Sequence, residues 1–201
     1  FLTVPIFDPD RPLVELISIL ELERIEVNLF RGFTPPSRSV RVFGGQVIAQ
    51  ALNAAYQTVD ERVCHSLHAY FIRPGDPTVP ILYEVDQARD GRSFTTRRVV
   101  AIQNGEQIFN LAASFQIQEE GFDHQFDVLE TEIPENLRTE FDLRMDIIDQ
   151  VHENAAENFQ VKRPIEVRPV NPQNLLDPQP EPPQSAIWMK TIDKVEKGHV
   201  L

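Results

Sequence analysis

Gly44-Gly45-Gln46-Val47-Ile48-Ala49-Gln50-Ala51-Leu52-Asn53-Ala54-Ala55-Tyr56-Gln57-Thr58 is the stretch on which the fold turns. Val47, Ile48, Ala51, Leu52, Ala54 and Ala55 fall on one broad helical face. Gln46, Gln50, Asn53 and Gln57 recur at spacings of four, three and four, a second stripe that is polar but uncharged. A water-facing stripe normally carries charge, so the pattern predicts a helix over 44–58 that is central and largely covered. Its alanines let it lie close to the surface covering it. About 15 residues at 1.5 Å each give roughly 22 Å, enough to cross a sheet.

Before this helix, residues 12–20 read as a short helix. Asp10 is placed to cap it, Pro12 suits its first turn, and Leu13, Leu16, Ile17 and Leu20 form its stripe. The period then switches to two: Ile25, Val27 and Leu29 alternate with Glu26 and Asn28, a half-buried strand ending near Gly32. Phe33 to Ser39, with Pro35-Pro36, is a loop. After the helix come four strands read as an antiparallel meander: Val63–Ile72, Ile81–Ala88, Ser93–Gln103 and Glu106–Gln118. Asp90-Gly91 and Asn104-Gly105 between them favour tight hairpin turns. One helix against one curved antiparallel sheet is an α+β architecture. A doubly wound parallel fold would need helices between the later strands, and the pattern has none.

Beyond Glu120 the composition shifts. Residues 134–154 carry a helical stripe of Leu137, Phe141, Met145 and Ile148, and residues 164–183 hold seven of the 16 prolines. Ile165–Val170 and Ser185–Val195 are candidate strands. The expected organisation is a first domain over 1–120, a linker with a helix over 121–163, and over 164–201 the first strands of a second, incomplete unit.

The 201 residues carry 19 Lys and Arg against 31 Asp and Glu, a formal charge of −12. Such a field repels a phosphate backbone, so nucleic-acid binding is not expected. A small anion would need a local cluster of positive groups. The single cysteine, Cys64, fits a reducing compartment. No apolar run reaches the roughly 18 to 20 residues of a membrane span. The chain opens on Phe1 and reads as part of a longer product, with no targeting pattern at its start.

Three places carry candidate chemistry. Gly44-Gly45-Gln46 opens the central helix, where first-turn amides attract negative charge and would stabilise an oxyanion; the same glycines also suit a loop that must enter a helix. In His65-Ser66-Leu67-His68, strand alternation puts Ser66 and His68 on one face, with no carboxylate placed to orient an imidazole. No metal set is read there, since His65 and His68 fall on opposite faces. Arg89, Arg92, Arg97 and Arg98 surround the Asp90-Gly91 turn, with Arg73 in a neighbouring loop. They suit the phosphates of a nucleotide-like carrier or, equally, pairing with Glu84, Asp86 and Asp90 on the strand surface.

The run from Leu22 to Gly32, Arg41-Val42-Phe43-Gly44-Gly45-Gln46-Val47 and the stretch from His65 to Asp76 resemble, in order and spacing, the type II (TesB-like) acyl-CoA thioesterases. Arg89-Asp90-Gly91-Arg92-Ser93-Phe94, Ala112-Ala113-Ser114-Phe115-Gln116, His124-Gln125, Val167-Arg168-Pro169-Val170 and Trp188-Met189-Lys190 continue the match. The resemblance implies a double hot-dog fold, each unit a long helix wrapped by a sheet, with one complete unit here and the start of a second. It implies hydrolysis of fatty acyl-CoA to fatty acid and CoA without a cofactor or metal. The family's catalytic Asp, Ser or Thr, and Gln belong to the second unit and are expected beyond Leu201, so no catalytic residue is assigned. Gly44, Gly45 and Gln46 are expected to border the thioester. His68, Arg92 and Ser93 complete the substrate-binding set, with Arg92 meeting CoA phosphates. A homo-oligomer of double hot-dog subunits is implied, in the cytoplasm, or in the peroxisome of a eukaryote. The alternative is a non-catalytic acyl-CoA-binding or assembly module; a dehydratase would need a His and carboxylate pair on a hydratase motif that the chain lacks.

Overall fold

The structure is a computed structural model that describes residues 8–36 and 39–195. The chain divides into two compact units, one containing Val14–Phe122 and the other Pro9–Leu13 with Asp123–Lys197.

The first unit is built on helix α2, Gly44–Tyr56. It is preceded by α1, Pro12–Leu20, and by β1, Glu23–Glu26, and β2, Leu29–Gly32. It is followed by β3, Val63–Phe71, β4, Ile81–Asp90, β5, Phe94–Gln103, and β6, Glu106–Gln116. All six strands form one antiparallel sheet in the order β1-β2-β4-β5-β6-β3. The expected strand through Ile25, Val27 and Leu29 is instead a hairpin, turned at Val27-Asn28. Arg24 donates to the Val27 carbonyl, and the Val27 amide donates to Glu26. Ile25 and Val27 are therefore exposed, while Phe30 is fully buried.

The meander is also shorter than expected. Only β4, β5 and β6 follow one another across the sheet; β3 lies beyond β6 at the far edge. The connection from Phe71 to Ile81, with its three prolines, is too long for a tight hairpin and carries the chain across to that edge. At Asn104-Gly105 both residues take positive φ, 51° and 79°, the conformation of the hairpin turn expected there.

Alternation puts Ile81, Tyr83 and Val85 of β4, Val99 and Ala101 of β5, and Phe109, Leu111, Ala113 and Phe115 of β6 on the face that covers α2. Val47, Ala51, Ala54 and Ala55 of the helix meet them, and the three alanines are completely buried. The helix is thus central, as its uncharged stripe predicts, and that stripe has identifiable partners. Gln50 donates to the carbonyls of Ile19 (2.6 Å) and Phe33 (3.1 Å) and accepts from the Tyr83 hydroxyl (2.7 Å). Asn53 donates to the Leu20 carbonyl. Ile19 and Leu20 end α1, where carbonyls lack helical partners, so side chains of α2 cap α1 from outside it. Gly32 makes room for this, since a Cβ there would stand 2.7 Å from Gln50 Oε1.

The second unit pairs β7, Ile165–Pro169, with β8, Ile187–Thr191, as a separate two-stranded sheet. The single helix expected over 134–154 is broken up. Helix α3 spans Glu140–Met145 and α4 spans Glu153–Gln160. Thr139 and His152 each accept from an amide two or three residues on, two separate helix starts within the predicted run. Arg168 fastens β7 by donating to the carbonyls of Pro134 and Leu137. Glu166 lies between Arg168 (2.8 Å) and Lys190 (3.5 Å), and its carboxyl is held below the usual range, chiefly by the Arg168 hydrogen bond.

Candidate active-site cleft

The first turn of α2 contains Gly44, Gly45 and Gln46. Phe43 precedes it in extended conformation with no side-chain cap, and its carbonyl receives the Gln46 and Val47 amides. The Gly44 and Gly45 amides fall where a helix has no internal acceptor for them.

In front of this turn opens a cleft of about 370 Å³. Val42, Val47, Phe71, Ile72, Ile108 and Phe109 give it apolar walls, Gly44 lies in its lining, and Arg41 and Arg73 bring two guanidinium groups. Arg41 is exposed. Arg73 is about half exposed, held by a bond from Nη1 to the Gln107 carbonyl (2.8 Å) and by Glu106 at 3.5 Å.

Backbone hydrogen bonds and one buried side chain fix the walls. The amides of Ile72 and Arg73 both donate to the Ile108 carbonyl, and that of Val42 donates to the Gly75 carbonyl (2.9 Å). Gln103, 5% exposed, accepts from the Asp76 amide and donates to the carbonyls of Asp76 and Val79. It thereby clamps the loop after Gly75. The Asp76 carboxylate accepts from the hydroxyl and the amide of Thr78, in that order of effect, and its pKa is lowered as a result.

The six expected site residues do not converge on one place. Gly44 lines the cleft. Gly45 packs under the Phe43 ring. Gln46 is 8% exposed and turned inward, donating to the Phe33 carbonyl and the Thr34 hydroxyl (3.0 Å each), so its side chain fastens the preceding loop. His68 is exposed on the edge strand, its ring 4.8 Å from that of Tyr70. A bulge between Cys64 and Ser66 interrupts the alternation of β3, and the serine that meets a histidine is Ser114, 2.8 Å from His65 Nε2. Arg92 and Ser93 form the β4–β5 connection, where Ser93 donates to Glu119 (3.2 Å). Phe94 pairs with Gln116 and Phe71 with Phe109, so this connection and the cleft lie about 23 Å apart along β6.

Arg97 leaves the expected cluster altogether. It is 2% exposed and donates to Asp90 (2.7 Å), to the Thr58 hydroxyl and carbonyl, and to the Arg89 carbonyl. It anchors the end of α2 and offers nothing to a ligand. Arg41, Phe71 and Gly75, by contrast, enter the site unforeseen. Each lies inside a motif quoted for the family resemblance.

Comparison with known proteins agrees with this architecture. A family profile described as "Acyl-CoA thioesterase N-terminal domain" matches residues 34–116. The chain is 40% identical over 177 residues to acyl-CoA thioesterase 2 of Haemophilus influenzae, covering 88% of this chain and 62% of that protein. It is 38% identical over 195 residues to human acyl-coenzyme A thioesterase 8, covering 92% of this chain and 60% of the relative. The chain thus spans about three fifths of the length of the curated relatives it matches. The crystal structure of an acyl-CoA thioesterase II from Mycobacterium marinum superposes with a TM-score of 0.69 at 36% identity, covering 90% of this chain and 62% of that one. A tesB protein of Mycobacterium avium subs paratuberculosis gives 0.70 at 28% identity, covering 92% and 63%. With its motifs, its sheet-covered helix and these relatives in agreement, the chain belongs to the type II, TesB-like acyl-CoA thioesterase family and has that family's hot-dog fold.

Proposed function

We propose that this chain supplies the substrate-binding half of an enzyme that hydrolyses fatty acyl-CoA thioesters, and that the groups activating the attacking water come from elsewhere in the full protein. The supporting observation is the chemistry of the cleft. Its apolar walls suit an acyl chain, the first-turn amides of α2 suit a thioester carbonyl, and Arg41 and Arg73 suit the phosphates of CoA. Hydrolysis also needs a base to take a proton from water, worth typically about 10² to 10⁴ in rate. The residues lining the cleft bring guanidinium and hydrocarbon, neither of which does this at neutral pH. The relatives named as acyl-CoA thioesterases favour the enzymatic reading over a simple binding module.

Two measurements test it. Thiol release from acyl-CoA is followed for the 201-residue chain and for the full-length gene product. Binding of S-alkyl-CoA thioethers, which cannot be hydrolysed, is followed by calorimetry. The chain should bind without turnover, and the longer protein should turn over. Brisk hydrolysis by the 201-residue chain would refute the division of labour; no binding would refute the site. Arg41→Ala and Arg73→Ala should each weaken binding about tenfold, the low end for a charged hydrogen bond at an exposed position. If Arg92→Ala weakens it instead, the phosphates sit at the β4–β5 connection.

A further inference from the structure

Two of the cleft's apolar walls, Phe71 and Ile72, are largely exposed, and Phe71 is the larger and the more exposed of them. Val47 on α2 and Ile108 and Phe109 on β6 are buried parts of the core. Phe71, at the end of β3, is 57% exposed although it is a large apolar ring. Leaving such a ring in water forgoes most of the gain from burial, and an exposed apolar surface beside a cleft commonly marks a contact with a ligand. The ring is nevertheless seated. It tilts against Phe109 with centroids 5.1 Å apart, and it lies over Gly44, where an added Cβ would stand 2.9 Å from Phe71 Cζ. Next in the chain, Ile72 and Arg73 are both bonded to the Ile108 carbonyl, which fixes the backbone carrying the ring.

We propose that Phe71 is the specificity-determining residue of the cleft: its ring, resting on Gly44, sets how long an acyl chain the cleft accepts. The inference rests on the acyl-CoA reading above. A chain entering a closed apolar space gains affinity with each methylene buried, about fourfold apiece, until it meets a wall. The buried walls are fixed by the core. Of the two exposed walls, Phe71 carries the ring that rests on Gly44, and its size changes without disturbing that core because more than half of it is in solvent.

The test is a series of S-alkyl-CoA thioethers from butyl to dodecyl, titrated into the wild-type chain and into Phe71→Ala, Phe71→Leu and Phe71→Trp. Far-UV circular dichroism checks that each variant is folded. Wild type should show affinity rising about fourfold per methylene and then levelling at one length. Phe71→Ala and Phe71→Leu should move that break to longer chains, and Phe71→Trp to shorter ones. A break at the same length in every protein, no break in wild type, or an equal loss at all lengths in the variants would overturn the proposal while leaving acyl-CoA binding intact. Absence of binding by wild type at any length would overturn the functional reading, and this assignment with it.

Discussion

Replacing Gln50 by leucine tests whether the polar stripe of α2 holds the first unit together. Gln50 is completely buried. Its amide serves the carbonyls of Ile19 and Phe33, and its carbonyl receives the Tyr83 hydroxyl. Burial pushes the Tyr83 phenol above its usual range, so it is a donor at neutral pH. Leucine keeps roughly the same volume and removes these three bonds together with a long one from Gln46 (3.5 Å), whose amide keeps its other acceptors. The Phe33 carbonyl keeps Gln46 as a donor, which leaves two orphaned groups, Ile19 O and Tyr83 OH. At about 1–3 kcal/mol for each buried group left unsatisfied, Gln50→Leu should cost about 2–6 kcal/mol. That is a large share of the roughly 5–15 kcal/mol that holds a domain folded. The sharper expectation concerns Tyr83→Phe. Alone it deprives Gln50 of its best donor and should destabilise by about 1 kcal/mol. In the Gln50→Leu background it removes an orphan, so it should be neutral or stabilising. Urea denaturation followed by circular dichroism, with hydrogen exchange across α2, measures all four proteins. A Gln50→Leu protein within 0.5 kcal/mol of wild type, or a Tyr83→Phe effect of the same sign and size in both backgrounds, would show that these bonds do not carry the helix.

Arg97→Lys should destabilise by about 2 kcal/mol, because an ammonium cannot reach Thr58, Asp90 and Arg89 together as the planar fork does. A loss under 0.5 kcal/mol in thermal denaturation would contradict that. The Asp76 carboxyl, its pKa lowered by Thr78, should titrate by NMR below the ordinary aspartate range. A depressed folded pKa means that its hold on the loop is fully present above the unfolded pKa and is lost as pH falls through the folded value. The Thr78 amide should therefore stay protected from neutral to mildly acidic pH and lose protection only in strong acid. An Asp76 that titrates at or above the ordinary value would refute this, as would an Asp76→Asn protein with the same acid transition.

What the sequence disclosed is what local pattern encodes. Helix α2 and strands β4 to β6 were legible because period, alternation and the Asn-Gly turn agree over long runs. The β1–β2 hairpin was not, since Val27-Asn28 continues the alternation and contains no glycine to mark a turn. The edge position of β3 depends on long-range pairing with β6, which no local signal carries. Arg97 and Gln103 share the parity of Val99 and Ala101, so their inward direction was present in the pattern; their charge and polarity obscured it. Gly44 was found as part of a glycine pair before a helix. Its partner Phe71 was not, because a ring and a glycine separated by 27 residues meet only in the folded chain.

The same buried polar side chains that stabilise the first unit also place its cleft. Gln46, Gln50 and Asn53 tie one side of α2 to α1 and to the loop at Phe33, while Arg97 holds Thr58 just past the helix end. An alanine-rich helix has little side-chain relief to prevent it from sliding along the sheet, and smooth packing alone would tolerate small axial shifts. Directional bonds to fixed carbonyls remove that freedom. Gln50 lies six residues from Gly44, about 9 Å along the axis. An axial shift of α2 would carry Gly44 away from the Phe71 ring. A pocket built from a glycine and an aromatic ring in direct contact requires the helix to be fixed along its axis, and an uncharged, hydrogen-bonding stripe does this where charges would be too costly to bury.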